Sequence, residues 1–223
     1  MKKTLLALLV VALGSSSAFA LSGVYVGANV GYANGLFNNR VANTGAVSKT
    51  STGIDGFAGG IFAGYAYQFE PNPFNVAAEI NLQAYRLNNM AKSSSTQTDK
   101  QTLNYSSGID LMPGFYISKT INLFGVLGYQ QGQFRFSRNV FVNNTTDYSE
   151  TTNLSAWDVG FGTSFILANN FALRLIYKYT QYGSKTFRRT NFTQKITPRN
   201  GQFNLGVTYT FGGSSDNSSQ ATK

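Results

Sequence analysis

The chain has 223 residues, with 18 Lys plus Arg against 9 Asp plus Glu and a formal net charge of +9 at pH 7. It has no Cys and no His, which excludes disulfides, thiolate and imidazole metal sites, and every catalytic arrangement built on a Cys nucleophile or a His base. The length fits one large domain, and aromatic residues at 14% are too frequent for a disordered chain.

Lys2 and Lys3 precede an apolar run, Leu5 to Leu13, and Ala18-Phe19-Ala20 supplies a small-residue cleavage pattern. Residues 1–20 are therefore read as a secretory signal peptide. The run is far shorter than the roughly 20 residues a membrane-crossing helix needs. The mature chain then starts at Leu21 and keeps 16 basic and 9 acidic residues, a net charge of +7. No later segment is apolar enough to cross a bilayer as a helix. Two classes remain: a soluble exported protein, or a barrel that crosses with strands.

From there on the chain alternates with period two in eight runs, at about 22–33, 53–69, 74–87, 102–118, 122–137, 155–167, 171–183 and 200–211. Each run exceeds the roughly 9–11 residues that a tilted transmembrane strand requires. The connections alternate too. Those at 34–52, 88–101, 138–154 and 184–199 are long and polar, and those at 70–73, 119–121 and 168–170 are short. That alternation predicts an all-β, eight-stranded, antiparallel up-and-down transmembrane β-barrel over 21–211, with all long loops at one end. Residues 212–223, GGSSDNSSQATK, are read as a disordered polar tail.

The two faces of the runs differ chemically. Phe57, Ile61, Ala63, Tyr65 and Tyr67 oppose Gly56, Ala58, Gly60, Phe62 and Gly64. Phe74, Val76, Ala78, Ile80 and Leu82 oppose Asn75, Glu79, Asn81 and Gln83. Leu103, Tyr105, Ile109, Leu111 and Phe115 oppose Asn104, Ser106, Gly108, Asp110 and Gly114. The last three runs divide likewise, while 122–137 carries apolar residues on both faces and stays unassigned. Five charges fall well inside assigned runs, away from their ends, Glu79, Asp110, Asp158, Arg174 and Lys178, and all lie on the less apolar face. A basic side chain facing lipid costs about 2–4 kcal/mol at the midplane, so this face is read as the lumen. Arg174 and Lys178 are expected to pair there with Glu79, Asp110 or Asp158. Gly56, Gly60 and Gly64 would leave room for long polar side chains from across the barrel. Aromatic residues near the run ends, Phe69, Phe74, Phe115, Phe165, Phe171 and Phe211 on one side and Tyr32, Tyr85, Tyr105 and Trp157 on the other, fit the membrane–water boundaries.

The layout resembles the small outer-membrane β-barrels of Gram-negative bacteria, the transmembrane domain of outer membrane protein A and the opacity-type surface proteins. The opening Gly23 to Tyr32, GVYVGANVGY, is similar to the family's first strand. The closing stretch with Phe203, Leu205, Gly206, Val207, Tyr209 and Phe211 is similar to its last strand, which serves as the assembly signal. The resemblance implies insertion by the barrel-assembly machinery, an interior ion-pair network, a bacterial outer-membrane location with long loops outside and both mature termini in the periplasm, and a monomer. The twelve residues after Phe211 depart from the family, whose signal usually ends the chain.

Little catalytic chemistry remains. Glu79, Asp110 and Asp158 could in principle act as paired carboxylates, but each already has a use in the lumen. No catalytic residue, metal or cofactor is therefore expected, and the protein is read as a non-enzyme. The last long loop carries Lys185, Arg188, Arg189, Lys195 and Arg199 and no acid. Such clusters bind anions. At a bacterial surface the anions are lipopolysaccharide phosphates or host polyanions; export argues against nucleic acid. The expected function is a surface protein whose loops contact lipopolysaccharide, host or neighbouring proteins. The alternative is a narrow gated channel, a small porin.

Overall fold

A computed structural model of the protein describes residues 22–43, 46–69, 71–89, 93–94, 97–140, 148–168, 170–189 and 192–211. The expected signal peptide and tail lie outside them. The ten strands are β1 (Gly23–Asn43), β2 (Ala46–Gln68), β3 (Phe74–Asn89), β4 (Ser93–Ser94), β5 (Gln97–Ser118), β6 (Ile121–Val140), β7 (Tyr148–Ala168), β8 (Phe171–Tyr182), β9 (Lys185–Arg189) and β10 (Phe192–Thr210). Eight of them form a closed antiparallel ring in the order β1-β2-β3-β5-β6-β7-β8-β10, and β10 pairs back onto β1. The short β4 and β9 pair with β5 and β10.

The register fixes the geometry of the ring. Crossing from strand to strand, Tyr25 leads through Gly64, Glu79, Asp110, Gly128, Asp158, Thr180 and Asn200 back to β1 at Gly35. The path returns ten residues beyond its start. With about 3.3 Å per residue and about 4.8 Å between strands, that stagger tilts the strands by about 40°, within the usual range for barrels. Each residue then advances about 2.5 Å along the axis. The outward residues of β7 run from Leu167 to Trp157, ten residues or about 25 Å, which is the height of an outer-membrane apolar band. Val30, Phe57, Ile61, Ile80, Ile109, Phe161 and Phe203 are each more than half exposed on this outer surface.

The strands continue well past that band. The segments 34–52, 138–154 and 184–199, expected as loops, are largely strand: β1 and β2 pair out to Asn43 and Ala46, β6 and β7 pair out to Arg138 and Tyr148, and β9 forms a hairpin with β10. Beyond the band both outer faces meet water, so the outward positions turn polar. Only inward residues such as Phe37, Ile54 and Ile196 stay apolar and buried. A half-apolar alternation of that kind looks like loop composition.

The ring also divides there. Pairing of β3 with β5 stops at Ala84 and Tyr105, and pairing of β7 with β8 stops at Ala156 and Tyr182. Above these points the strands form two sheets, one led by β10, β1 and β2 and the other by β5, β6 and β7. Phe37, Ile54 and Ile196 of the first pack against Leu103, Phe134, Phe136 and Leu154 of the second. Phe134 meets Phe37 edge-on at 6.0 Å and Tyr182 at 4.8 Å. Two sheets packed face to face thus cap the ring.

Three expectations about the inner and outer faces need correction. The register shifts between Leu103 and Tyr105. This bulge reverses the alternation above it, so Leu103 is buried in the cap and does not face outward. Tyr85 belongs to the lumen, hydrogen-bonded with Ser106 and Gln202, and not to the boundary aromatics. The inward glycines make room for neighbouring strands, not for side chains across the barrel: a Cβ at Gly60 would meet Gln83 at 2.6 Å, and one at Gly64 would meet Tyr25 at 2.6 Å. Finally, β6, unassigned from sequence, turns Asn122, Phe124, Val126, Gln130, Phe134 and Phe136 inward.

Candidate functional site

Alternation places Glu79 on β3, Asp110 on β5, Asp158 on β7, and Arg174 and Lys178 on β8 on the inner face, and all five are buried. They meet in two tiers. In the tier nearer the short turns, Arg174 Nη1 donates to Glu79 Oε2 at 2.7 Å, and Tyr25 Oη donates to the same oxygen at 3.0 Å. The guanidinium lies 4.5 Å from the centre of the Phe62 ring and 5.6 Å from that of Phe124, so aromatic faces replace part of its lost hydration. In the next tier Lys178 Nζ bridges two acids, Asp110 at 3.0 Å and Asp158 at 3.4 Å. Asn81 Nδ2 donates to Asp110, and Gln130 Nε2 to Asp158 and Thr180. Burying such charges costs several kcal/mol per ion. The lumen offsets that cost only because each ion is both paired and hydrogen-bonded.

The lumen closes at both levels. Glycines let neighbouring side chains lie flat in the wall: a Cβ at Gly128 would collide with Asp110 Oδ1. Below the ions a cup of about 100 Å³ opens toward the short turns, lined in part by Tyr25, Met112, Phe124 and Arg174. Above them sits the apolar cap. Its seam between β7 and β9 is spanned by Lys185 and Glu150, whose charged groups stand 3.5 Å apart.

Of the five basic residues expected in the last loop, three have described side chains. Lys185 turns to Glu150 on another strand. The side chains of Arg188 and Arg189 lie outside the described residues. Lys195 and Arg199 are exposed on the outer face of β10, four residues apart. Lys195 instead stands directly opposite Arg40 of β1, which stands directly opposite Lys49 of β2. All three side chains are exposed.

A family model described as the outer membrane protein beta-barrel domain matches residues 4–211. The chain belongs to that family. It is 24% identical over 180 residues to the 31 kDa outer-membrane immunogenic protein of Brucella melitensis, an alignment covering 75% of this chain and 73% of the relative. Among solved structures it is similar to the outer membrane protease OmpT from Escherichia coli, with a TM-score of 0.52 at 10% identity over 89% of this chain and all of that one. It is also similar to OprG from Pseudomonas aeruginosa, with a TM-score of 0.48 at 14% identity over 87% and 98% of the two chains. The likeness to OmpT is one of fold.

For this outer-membrane barrel, the exposed apolar band is the lipid-facing surface and the two ionic tiers lie within the membrane span. The closing strand carries its apolar residues outward, at Phe203, Leu205 and Val207, while Gly206 faces the lumen. Sequence reasoning missed Tyr25 and Gln130 as partners of the ions, and Arg40 and Lys49 as neighbours of Lys195. Both basic residues sit in the stretch 34–52 that reads as a loop. Only the strand register sets them beside a residue some 150 positions away in the chain.

Proposed function

We propose that this outer-membrane barrel is a non-catalytic surface protein that works by contact, with the long strand ends outside the cell and both mature termini in the periplasm. One observation carries the reading: the lumen is obstructed, by ion pairs within the band and by an apolar cap above it. A solute would have to separate Lys178 from Asp110 and Asp158 and then pass Phe134 and Phe37. An eight-stranded ring is only wide enough for its own side chains, and here they occupy it. Contact is then left to the extended outer sheets, whose exposed Lys49, Lys195, Arg40 and Arg199 favour anionic partners. Lipopolysaccharide phosphates and host polyanions both fit that chemistry.

Two measurements test this. Reconstituted in a planar bilayer, the folded protein should give no stable single-channel steps; regular steps would support the narrow gated channel instead. On intact cells, a membrane-impermeant amine reagent should modify Lys49 and Lys195 and leave Lys178 untouched. Modification only after the outer membrane is opened would reverse the proposed orientation.

A further inference from the structure

We propose that the row Lys195–Arg40–Lys49 is a binding site for a saccharide carrying two or three phosphate or sulfate groups. The inference rests on the surface-contact reading and names the ligand class for it. The strand register sets Arg40 opposite Lys195 on one side and Lys49 on the other, and all three positions share the outward face. Neighbouring strands lie about 4.8 Å apart, so three cations fall within about 10 Å. Like charges directly opposite one another destabilise a sheet. Among the described residues none of the three has an ion pair. Asp55, the acid on the outer face of β2, lies six residues away and accepts a hydrogen bond from Tyr32. Among the described residues, then, the row's positive charge is left uncompensated.

The surroundings suit a sugar. Two residues closer to the membrane the same three strands carry Thr197, Asn38 and Ser51 in register. Ser51 Oγ donates to Asn38 Oδ1 at 2.9 Å, and Thr197 Oγ1 lies 2.8 Å from Ser184 Oγ. Hydroxyl and amide groups thus lie beside the cations, ready for sugar hydroxyls. Arg40 at the centre offers a planar fork to one anionic group, and the flanking lysines offer point charges to others. Height narrows the class further. Arg40 lies eight residues beyond Tyr32 on β1, about 20 Å further from the membrane at about 2.5 Å per residue. Phosphates at the lipid surface are out of its reach. The ligand is an anionic saccharide that stands away from the bilayer, either the phosphorylated core of lipopolysaccharide or a sulfated glycan from outside.

The test uses the full mature protein in lipid nanodiscs, with three probes: lipid A, phosphorylated core oligosaccharide and dextran sulfate. The expected result is salt-sensitive binding of the core oligosaccharide, of dextran sulfate or of both. R40Q/K49Q/K195Q should weaken it at least tenfold, while R86Q, which removes an exposed arginine closer to the membrane, should leave it nearly unchanged. Binding of the core alone assigns the site to the cell's own surface, and binding of dextran sulfate alone assigns it to an external glycan. If the wild type binds but the triple variant binds equally well, the row is not the site and the contact reading stands. If the wild type binds none of the probes, both fail. The triple variant loses only exposed, mutually repelling charges, so its thermal midpoint should be no lower than that of the wild type; a large drop would show that the row serves the fold.

Discussion

Arg174 holds the lower tier of the lumen together. It pairs with Glu79 at 2.7 Å, contacts Met112 Sδ through Nη2 at 3.4 Å and lies against three aromatic rings, Tyr25, Phe62 and Phe124. Removing one partner strands the other charge in a buried interior. Glu79→Met or Arg174→Met alone should each destabilise the folded barrel by about 3–5 kcal/mol. The double variant Glu79→Met with Arg174→Met should lose clearly less than the sum of the single losses. Urea unfolding in detergent micelles, followed by loss of β-sheet circular dichroism, measures both. Strict additivity would mean that the pair contributes nothing beyond its separate contacts. The face carrying these five charges was legible in the sequence, because a period of two sorts residues without any knowledge of partners. The hydrogen bonds from Tyr25, Asn81 and Gln130 were not, because they depend on stagger between strands.

The strands show why lengths were harder to read than number. Inside the band a strand alternates between lipid and lumen, and both phases leave a signal: Phe203, Leu205 and Val207 against Gln202, Asn204 and Thr208. Above the band the outer phase becomes polar. The stretch from Asn34 to Arg40 then reads as a loop although it is paired on both sides. On β6 the opposite confusion arises. Its inner face carries Phe124, Val126, Phe134 and Phe136, while its outer face includes Gln131 and Arg135, so the contrast that marks the other strands is lost. The cap built by these extensions depends on Phe134, which is 1% exposed and touches Phe37, Phe136 and Tyr182. Phe134→Ala should cost about 3–5 kcal/mol within the cap. Because the ionic tiers lie below, the loss should be local. Hydrogen exchange should quicken at Leu103, Leu154 and Ile196 and stay slow at Asp110 and Lys178. Uniform acceleration through the whole barrel would show that cap and membrane span open as one unit.

At the scale of the molecule the protein is a closed ring with its apolar surface turned outward. The short turns and the closing pairing of β10 on β1 follow from the chain itself: tight connections at Phe69–Phe74 and Lys119-Thr120, and alternating first and last strands. What the sequence could not supply is the stagger of ten residues, which sets the tilt, brings the two ionic tiers to adjoining heights and aligns Lys195 with Arg40 and Lys49. Trp157 allows the outward orientation to be measured without altering the protein. It is the single tryptophan of the chain, it is 73% exposed on the outer face, and it packs edge-on to Tyr129 at 5.5 Å. Its place at the far edge of the band puts it among lipid headgroups and upper acyl chains. In vesicles containing brominated lipids, its fluorescence should be blue-shifted, strongly quenched by bromine near the headgroups, less by bromine at the chain ends, and little by aqueous iodide. Emission typical of water, quenched by iodide and indifferent to brominated lipid, would contradict the outward apolar surface on which the whole account stands.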